Sequence, residues 1–139
     1  MIPPVFLDTS GLYEAGDRRA PMHDRARDQL RALLSHPGGL LTTEVVIVET
    51  HALVLRRAGP TAALATVDRL VSSPRIEIVP VDGRLRRAAT ELLGSRPQRL
   101  YSLADALSFQ VMRDRGITQA FTLDADFAAE GFEVLLDPG

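Results

Sequence analysis

The chain has 139 residues and no cysteine, which excludes disulfides, iron–sulfur clusters and thiolate zinc sites. A hydrophobic content of 45% and a formal net charge of −2 describe one soluble globular domain, residues 1–139, without the positive excess that advertises nucleic-acid binding. Three scattered histidines (His23, His36, His51) make a poor zinc site, so any metal must be a hard cation held by oxygen, Mg²⁺ or Mn²⁺. All 16 cationic residues are arginine. That suits phosphate contacts, but codon bias in a GC-rich genome explains it as well. No apolar run reaches the roughly 18 residues of a membrane span, and Met1-Ile2-Pro3-Pro4 has no leader character, so a cytoplasmic protein without membrane contact is expected.

In chain order, residues 5–8 follow two prolines and read as a short buried strand, with a helix starting near Ser10. Residues 22–35 read as a helix with Met22, Ala26, Leu30 and Leu33 on one face, broken by His36-Pro37-Gly38-Gly39. A strand at 40–42 leads into a helix from 43 to about 57, a turn at Ala58-Gly59-Pro60 and a helix at 61–71. Then come an alternating strand at 75–81, helices at 82–93 and 102–115, a strand at 120–123, a helical turn at 125–129 and a last strand at 132–136. Strands alternating with helices predict an α/β fold with a mainly parallel sheet covered on both faces. Such sheets bind ligands beyond the carboxyl ends of their strands, and Asp8 and Asp124 each fall just past one.

Four carboxylates stand where a buried strand or an apolar helix face disfavours charge: Asp8, Glu49, Asp105 and Asp124. An isolated buried carboxylate persists only when paired or bound to a cation, so four of them suggest a shared metal and the chemistry of a hydrolytic nuclease. Each has a structural alternative. Asp8 can cap the helix near Ser10. Glu49, spaced with Val45, Val46, Ala52 and Leu53, can sit in an apolar stripe paired with Arg56. Asp105 completes a capping-box pattern with Ser102. Of Asp124 and Asp126, one can cap the next turn while the other binds metal; Asp124, first after the strand, is the expected ligand and Asp126 the support. The remaining acids fit solvated faces, caps or helix ion pairs.

Phe6-Leu7-Asp8-Thr9-Ser10, Thr42-Thr43-Glu44 with Glu49, Ser102-Leu103-Ala104-Asp105-Ala106 and Thr122-Leu123-Asp124-Ala125-Asp126-Phe127 come in an order and at separations that resemble the PIN-domain ribonucleases, most closely the VapC-type toxins of toxin–antitoxin pairs. The resemblance covers essentially the whole chain. It implies a three-layer domain whose five-stranded, mainly parallel sheet runs in the order 3-2-1-4-5. It also implies Mg²⁺- or Mn²⁺-dependent RNA cleavage, a homodimer and a small inhibitory antitoxin. Carried over residue by residue, Asp8, Glu49, Asp105 and Asp124 become the catalytic and metal-binding acids, with Thr9, Ser10, Thr122 and Asp126 in support. The expected chemistry is hydrolysis of an RNA phosphodiester by water activated on one or two metal ions, about 3.5–4 Å apart if two. A haloacid-dehalogenase-type site lacks its second aspartate because Ser10 stands there, and a receiver domain needs a lysine that is absent. The alternatives left open are a PIN-like module that binds RNA or protein without catalysis, and a PIN nuclease of RNA processing with no toxin role.

Overall fold

Val5-Phe6-Leu7 carries apolar side chains toward both sides, which only a strand covered on both faces accommodates. In the computed structural model, which describes residues 1–137, these residues form β1 (Val5–Leu7) and all three are buried. The chain continues through α1 (Thr9–Gly16), α2 (His23–Leu33), β2 (Leu40–Thr43), α3 (Glu44–Ala58) and α4 (Pro60–Ser72). It then forms β3 (Ile76–Val79), α5 (Gly83–Gly94), α6 (Leu103–Asp114), β4 (Gln119–Phe121), α7 (Ala125–Ala129) and β5 (Glu133–Val134). Local chemistry sets several of these starts. The Thr43 hydroxyl accepts the Val46 N–H at the head of α3, Asp82 accepts from Leu85 N–H at α5, and Pro60 occupies the first turn of α4.

The five strands pair in parallel in the order β3-β2-β1-β4-β5, as the family resemblance implied. The chain leaves β1 for β2 on one side and later returns to its other side as β4. The crevice above the β1/β4 pair is therefore the switch point where α/β sheets bind ligands. Pairing of Leu7 with Phe121 sets Asp8 and Thr122 side by side at its floor. No helix among the described residues is long and apolar enough to cross a membrane.

Two expected strands are shorter than the apolar pattern suggested. The segment at 75–81 pairs only over Ile76–Val79, because its single neighbour β2 has four residues. The segment at 132–136 is strand only at Glu133–Val134, although Leu135 and Leu136 still donate N–H bonds to Ala120 and Thr122 at 3.0 and 3.2 Å. Both are edge strands, so pairing on one side alone limits them.

One half of the core is aromatic. Phe109 of α6 meets Phe127 of α7 at 4.9 Å and Tyr101 at 5.1 Å edge to face and stacks on Phe132 at 6.0 Å, and Phe127 reaches Phe6 of β1 at 6.3 Å. These contacts fix α6 and α7 against the end of β1. On the other side of the switch point, α1 approaches β4 so closely that a Cβ on Gly11 would lie 2.4 Å from the Phe121 carbonyl oxygen. Only glycine permits that approach. Phe127 is fully buried between two rings, so Phe127→Ala should lower stability by about 3–5 kcal/mol, read as a shifted urea midpoint. A loss below about 1 kcal/mol would show that the aromatic joint does not hold α7.

Candidate active site

Asp8 follows β1 and occupies the cap position of α1, yet its side chain makes no capping hydrogen bond. Its Oδ2 instead accepts from Thr122 Oγ1 at 2.7 Å and faces Ser10 Oγ at 3.3 Å. Ser10 Oγ lies 2.9 Å from Thr122 Oγ1 and accepts the Leu123 N–H at 2.9 Å. Counting protons gives the chain a direction. Thr122 spends its one hydroxyl proton on Asp8, and Ser10 takes the Leu123 N–H while sharing its own proton between Thr122 Oγ1 and Asp8 Oδ2. A relay from backbone to carboxylate thus joins α1 to the end of β4, each bond polarising the next.

The other acids arrive at helix starts. Asp105 and Ser102 form the capping box expected from sequence, with Asp105 Oδ2 accepting from Ser102 N–H at 3.0 Å and Ser102 Oγ accepting from Asp105 N–H at 3.0 Å. The cap uses Oδ2 and leaves Oδ1 free. Asp124 caps α7, its Oδ1 accepting the Asp126 N–H at 2.9 Å while its own N–H donates to Thr122 Oγ1 at 3.0 Å. The capping role therefore falls to Asp124, the residue expected as ligand, and Asp126 presents a carboxylate with no hydrogen bond among the described residues. Caps and cluster are compatible, since each cap occupies one oxygen. Asp105, Asp124 and Asp126 each bring a carboxylate oxygen within 4.8 Å of the others.

Glu49 departs from its expected surroundings. The buried positions of α3 are Val46, Thr50 and Val54, whereas Glu49 is exposed, as are Val48 and Leu55. The apolar spacing around Glu49 is real but is not the core-facing stripe, because the packing partners of a helix decide which face is buried. Arg56 does not pair with it; its contact is Thr9 Oγ1, donating to Oε1 at a long 3.5 Å.

Burial pushes the Asp8 carboxyl above the ordinary carboxylate range. The Thr122 hydroxyl and Thr9 N–H pull it back, while Asp124 and Asp105 add to the rise. Glu49 is also raised, by partial burial and then by Asp8 and Asp105, with Thr9 opposing. Asp126 is raised by burial, Asp124 and Asp105 against the field of Arg99. Asp8 and Glu49 thus stand outside the tight trio but within its field. No ion pair among the described residues involves any of the five acids.

The most deeply buried acids lie elsewhere, where the sequence suggested solvated faces, caps or helix ion pairs. Glu130, at the end of α7, has a side chain only 4% exposed and takes hydrogen bonds from Arg96 at 3.1 Å, Arg113 at 2.8 Å and Tyr101 at 2.9 Å. Burial alone would raise its pKa; the bonds from Arg113, Arg96 and Tyr101 outweigh that and hold it at about 2. Asp17 likewise takes the Tyr13 hydroxyl at 2.7 Å and the Arg19 N–H at 2.9 Å. Nothing local in the sequence marks Glu130, because its partners lie 17 to 34 positions away. The buried acids are compensated. The crevice acids close no salt bridge among the described residues, and an all-oxygen donor set left without an ion-pair partner fits a hard divalent cation.

Residues 5–132 match the family model of the PIN domain. Two relatives, the 23S rRNA-specific endonuclease VapC20 from Mycobacterium tuberculosis strains CDC 1551 / Oshkosh and ATCC 25618 / H37Rv, are each 41% identical over 132 residues, covering 92% of this chain and 95% of theirs. The crystal structure of Mycobacterium tuberculosis VapC20, described as a sarcin–ricin loop cleaving toxin, superposes with a TM-score of 0.83 at 34% identity, over 92% of this chain and 95% of that one. Sheet order, coverage from the first strand to the last helix and the family match agree, and this chain belongs to the PIN domain family.

Proposed function

We propose that this chain is a metal-dependent endoribonuclease, the toxin of a type II toxin–antitoxin pair, whose substrate is 23S rRNA at the sarcin–ricin loop. The observation that carries the activity is the trio of carboxylates within 4.8 Å at the β1/β4 crevice, flanked by Asp8 and Glu49 and unpaired with any cation. The RNA follows from relatives 41% identical over nearly the whole chain. A small antitoxin, a homodimer and a cytoplasmic location complete the reading.

Asp8, Asp105, Asp124 and Asp126 would hold Mg²⁺ or Mn²⁺, with Glu49 at the rim. Such an ion lowers the pKa of water and neutralises charge developing on a phosphate. The chain's own groups do the rest. The relay through Ser10 and Thr122 holds Asp8 in one rotamer, and the caps at Ser102 and Asp124 fix the starts of α6 and α7. Glu49 Oε1, partly solvated and held above the usual carboxylate range, is suited to orient the attacking water and take its proton. Attack forms the new oxygen–phosphorus bond and expels one ribose oxygen, which leaves as a hydroxyl once protonated.

Cleavage of a sarcin–ricin loop RNA by antitoxin-free protein should require Mg²⁺ or Mn²⁺, stop in EDTA and fall at least about 100-fold in Asp8→Asn, with the fold retained by circular dichroism. A fully active Asp8→Asn protein would remove the proposal.

The pH dependence has a definite sign. Asp8, Glu49 and Asp126 titrate higher in the folded state than in the unfolded one, so the folded chain keeps protons that the unfolded chain has released. The associated stability is present at low pH and lost as pH rises through the folded values. Glu130 acts oppositely: its stabilisation is present above the ordinary glutamate range and lost as pH falls toward about 2. In EDTA, Tm should therefore decline as pH rises above the ordinary carboxylate range of about 4, less steeply in Asp126→Asn. Mn²⁺ should raise Tm more at the higher pH. Equal slopes for the two proteins, with no Mn²⁺ shift, would count against an uncompensated metal site.

A further inference from the structure

Between α5 and α6 the chain makes a short loop whose two flanks are tied to one buried carboxylate. Arg96 donates to Glu130 through Nε at 3.1 Å and Nη2 at 3.3 Å, and Tyr101 donates its hydroxyl to the same side chain at 2.9 Å. The Arg99 N–H closes a turn on the Arg96 carbonyl at 3.0 Å. Glu130 caps the far end of the helix that Asp124 opens, and Ser102, next after Tyr101, shares its capping box with Asp105. Loop and acids are thus parts of one frame. The tip of the loop projects: Leu100 is fully exposed, and the Arg99 side chain makes no hydrogen bond or ion pair among the described residues.

We propose that Arg99, presented by the loop pinned through Arg96 and Tyr101, binds a backbone phosphate of the RNA next to the one being cut. The inference rests on the nuclease reading and adds to it a substrate-binding residue. Arg96 and Arg113 are engaged with Glu130 and Arg115 with Glu77, so they are not free for RNA. Arg99 is uncommitted, and its charge already bears on Asp126 and on Tyr101. It stands three residues before Ser102, whose capping box holds Asp105, and closes no salt bridge onto the acids among the described residues. A planar guanidinium there meets a phosphate with two parallel hydrogen bonds, and because the loop is clamped beforehand the contact costs little ordering.

The test is binding of fluorescently labelled sarcin–ricin loop RNA, in Mn²⁺, to Asp8→Asn protein with and without Arg99→Ala or Arg99→Lys, over a range of salt. Arg99→Ala should weaken binding about tenfold and reduce the slope of log affinity against log salt by about one, and Arg99→Lys should recover part of the loss. In otherwise native protein the same change should raise KM with kcat kept within about threefold, and leave the Mn²⁺ shift in Tm untouched. Unchanged affinity and slope would overturn the proposal. So would a lost Mn²⁺ shift, which would make Arg99 an organiser of the acids rather than a contact for RNA. If native protein failed to cut while Arg99→Ala still weakened binding, the nuclease reading would fall and the phosphate contact would stand.

Discussion

Asp105, Asp124 and Asp126 repel one another, and the surrounding structure holds them together against that repulsion. Two unit charges about 4 Å apart cost on the order of 1 kcal/mol in bulk water and several times that near a protein surface. No salt bridge among the described residues offsets the cost, so other interactions must. The aromatic contacts among Phe6, Phe109 and Phe127 fix α6 and α7 to β1, and the hydroxyl relay through Ser10 and Thr122 ties α1 to the end of β4. Glu130 gathers Arg96, Arg113 and Tyr101 behind the cluster. Removing any of these ties lets the carboxylates separate, which is the direction electrostatics favours.

The chain treats its acids in two ways, and burial alone does not separate them. Glu130 and Asp17 have lost nearly all solvent, and each has gained charged or hydroxyl donors in exchange. The crevice acids keep partial exposure and gain almost no donors beyond Thr122, Thr9 and their own helix caps. A paired acid titrates low and stabilises the fold at neutral pH. An unpaired acid in a cluster titrates high and destabilises it, a state that persists where a ligand restores the balance. Proximity to other acids without a cation is therefore a sharper mark of this site than depth.

Local signals carried most of the fold and part of the site. The buried run at Val5-Phe6-Leu7, the breaks at Gly38-Gly39 and Gly59-Pro60, and the Ser102/Asp105 capping box all act within a few residues, and each recurs in the structure. The surroundings of Glu49 are not legible locally because α3 has apolar residues on more than one face, and α1 and α4 packing against it decide which is inside. The Asp124 and Asp126 roles were blurred for another reason: two acids at the head of a five-residue helix compete for one cap, and backbone geometry decides between them. Ser10 and Thr122, 112 positions apart, gain their roles as relay members only through the β1/β4 pairing. Sequence order held the four motifs apart; the β1/β4 register joins the first and last, and helix packing brings Asp105 and Glu49 to the same crevice.

Net charge misleads in this chain for a physical reason. The formal −2 includes five crevice carboxylates, and setting them aside leaves the rest of the molecule at +3. Bound divalent cations would neutralise that pocket and unmask the arginine surface toward a polyanion. Affinity for RNA then depends on metal occupancy, not only on the count of basic residues. An RNA phosphate approaching the metal-free crevice meets Asp105, Asp124 and Asp126 first. Approaching a loaded one, it would meet compensated carboxylates. Metal occupancy would therefore set both the stability of the crevice and its attraction for the substrate, because both follow from the same uncompensated charge.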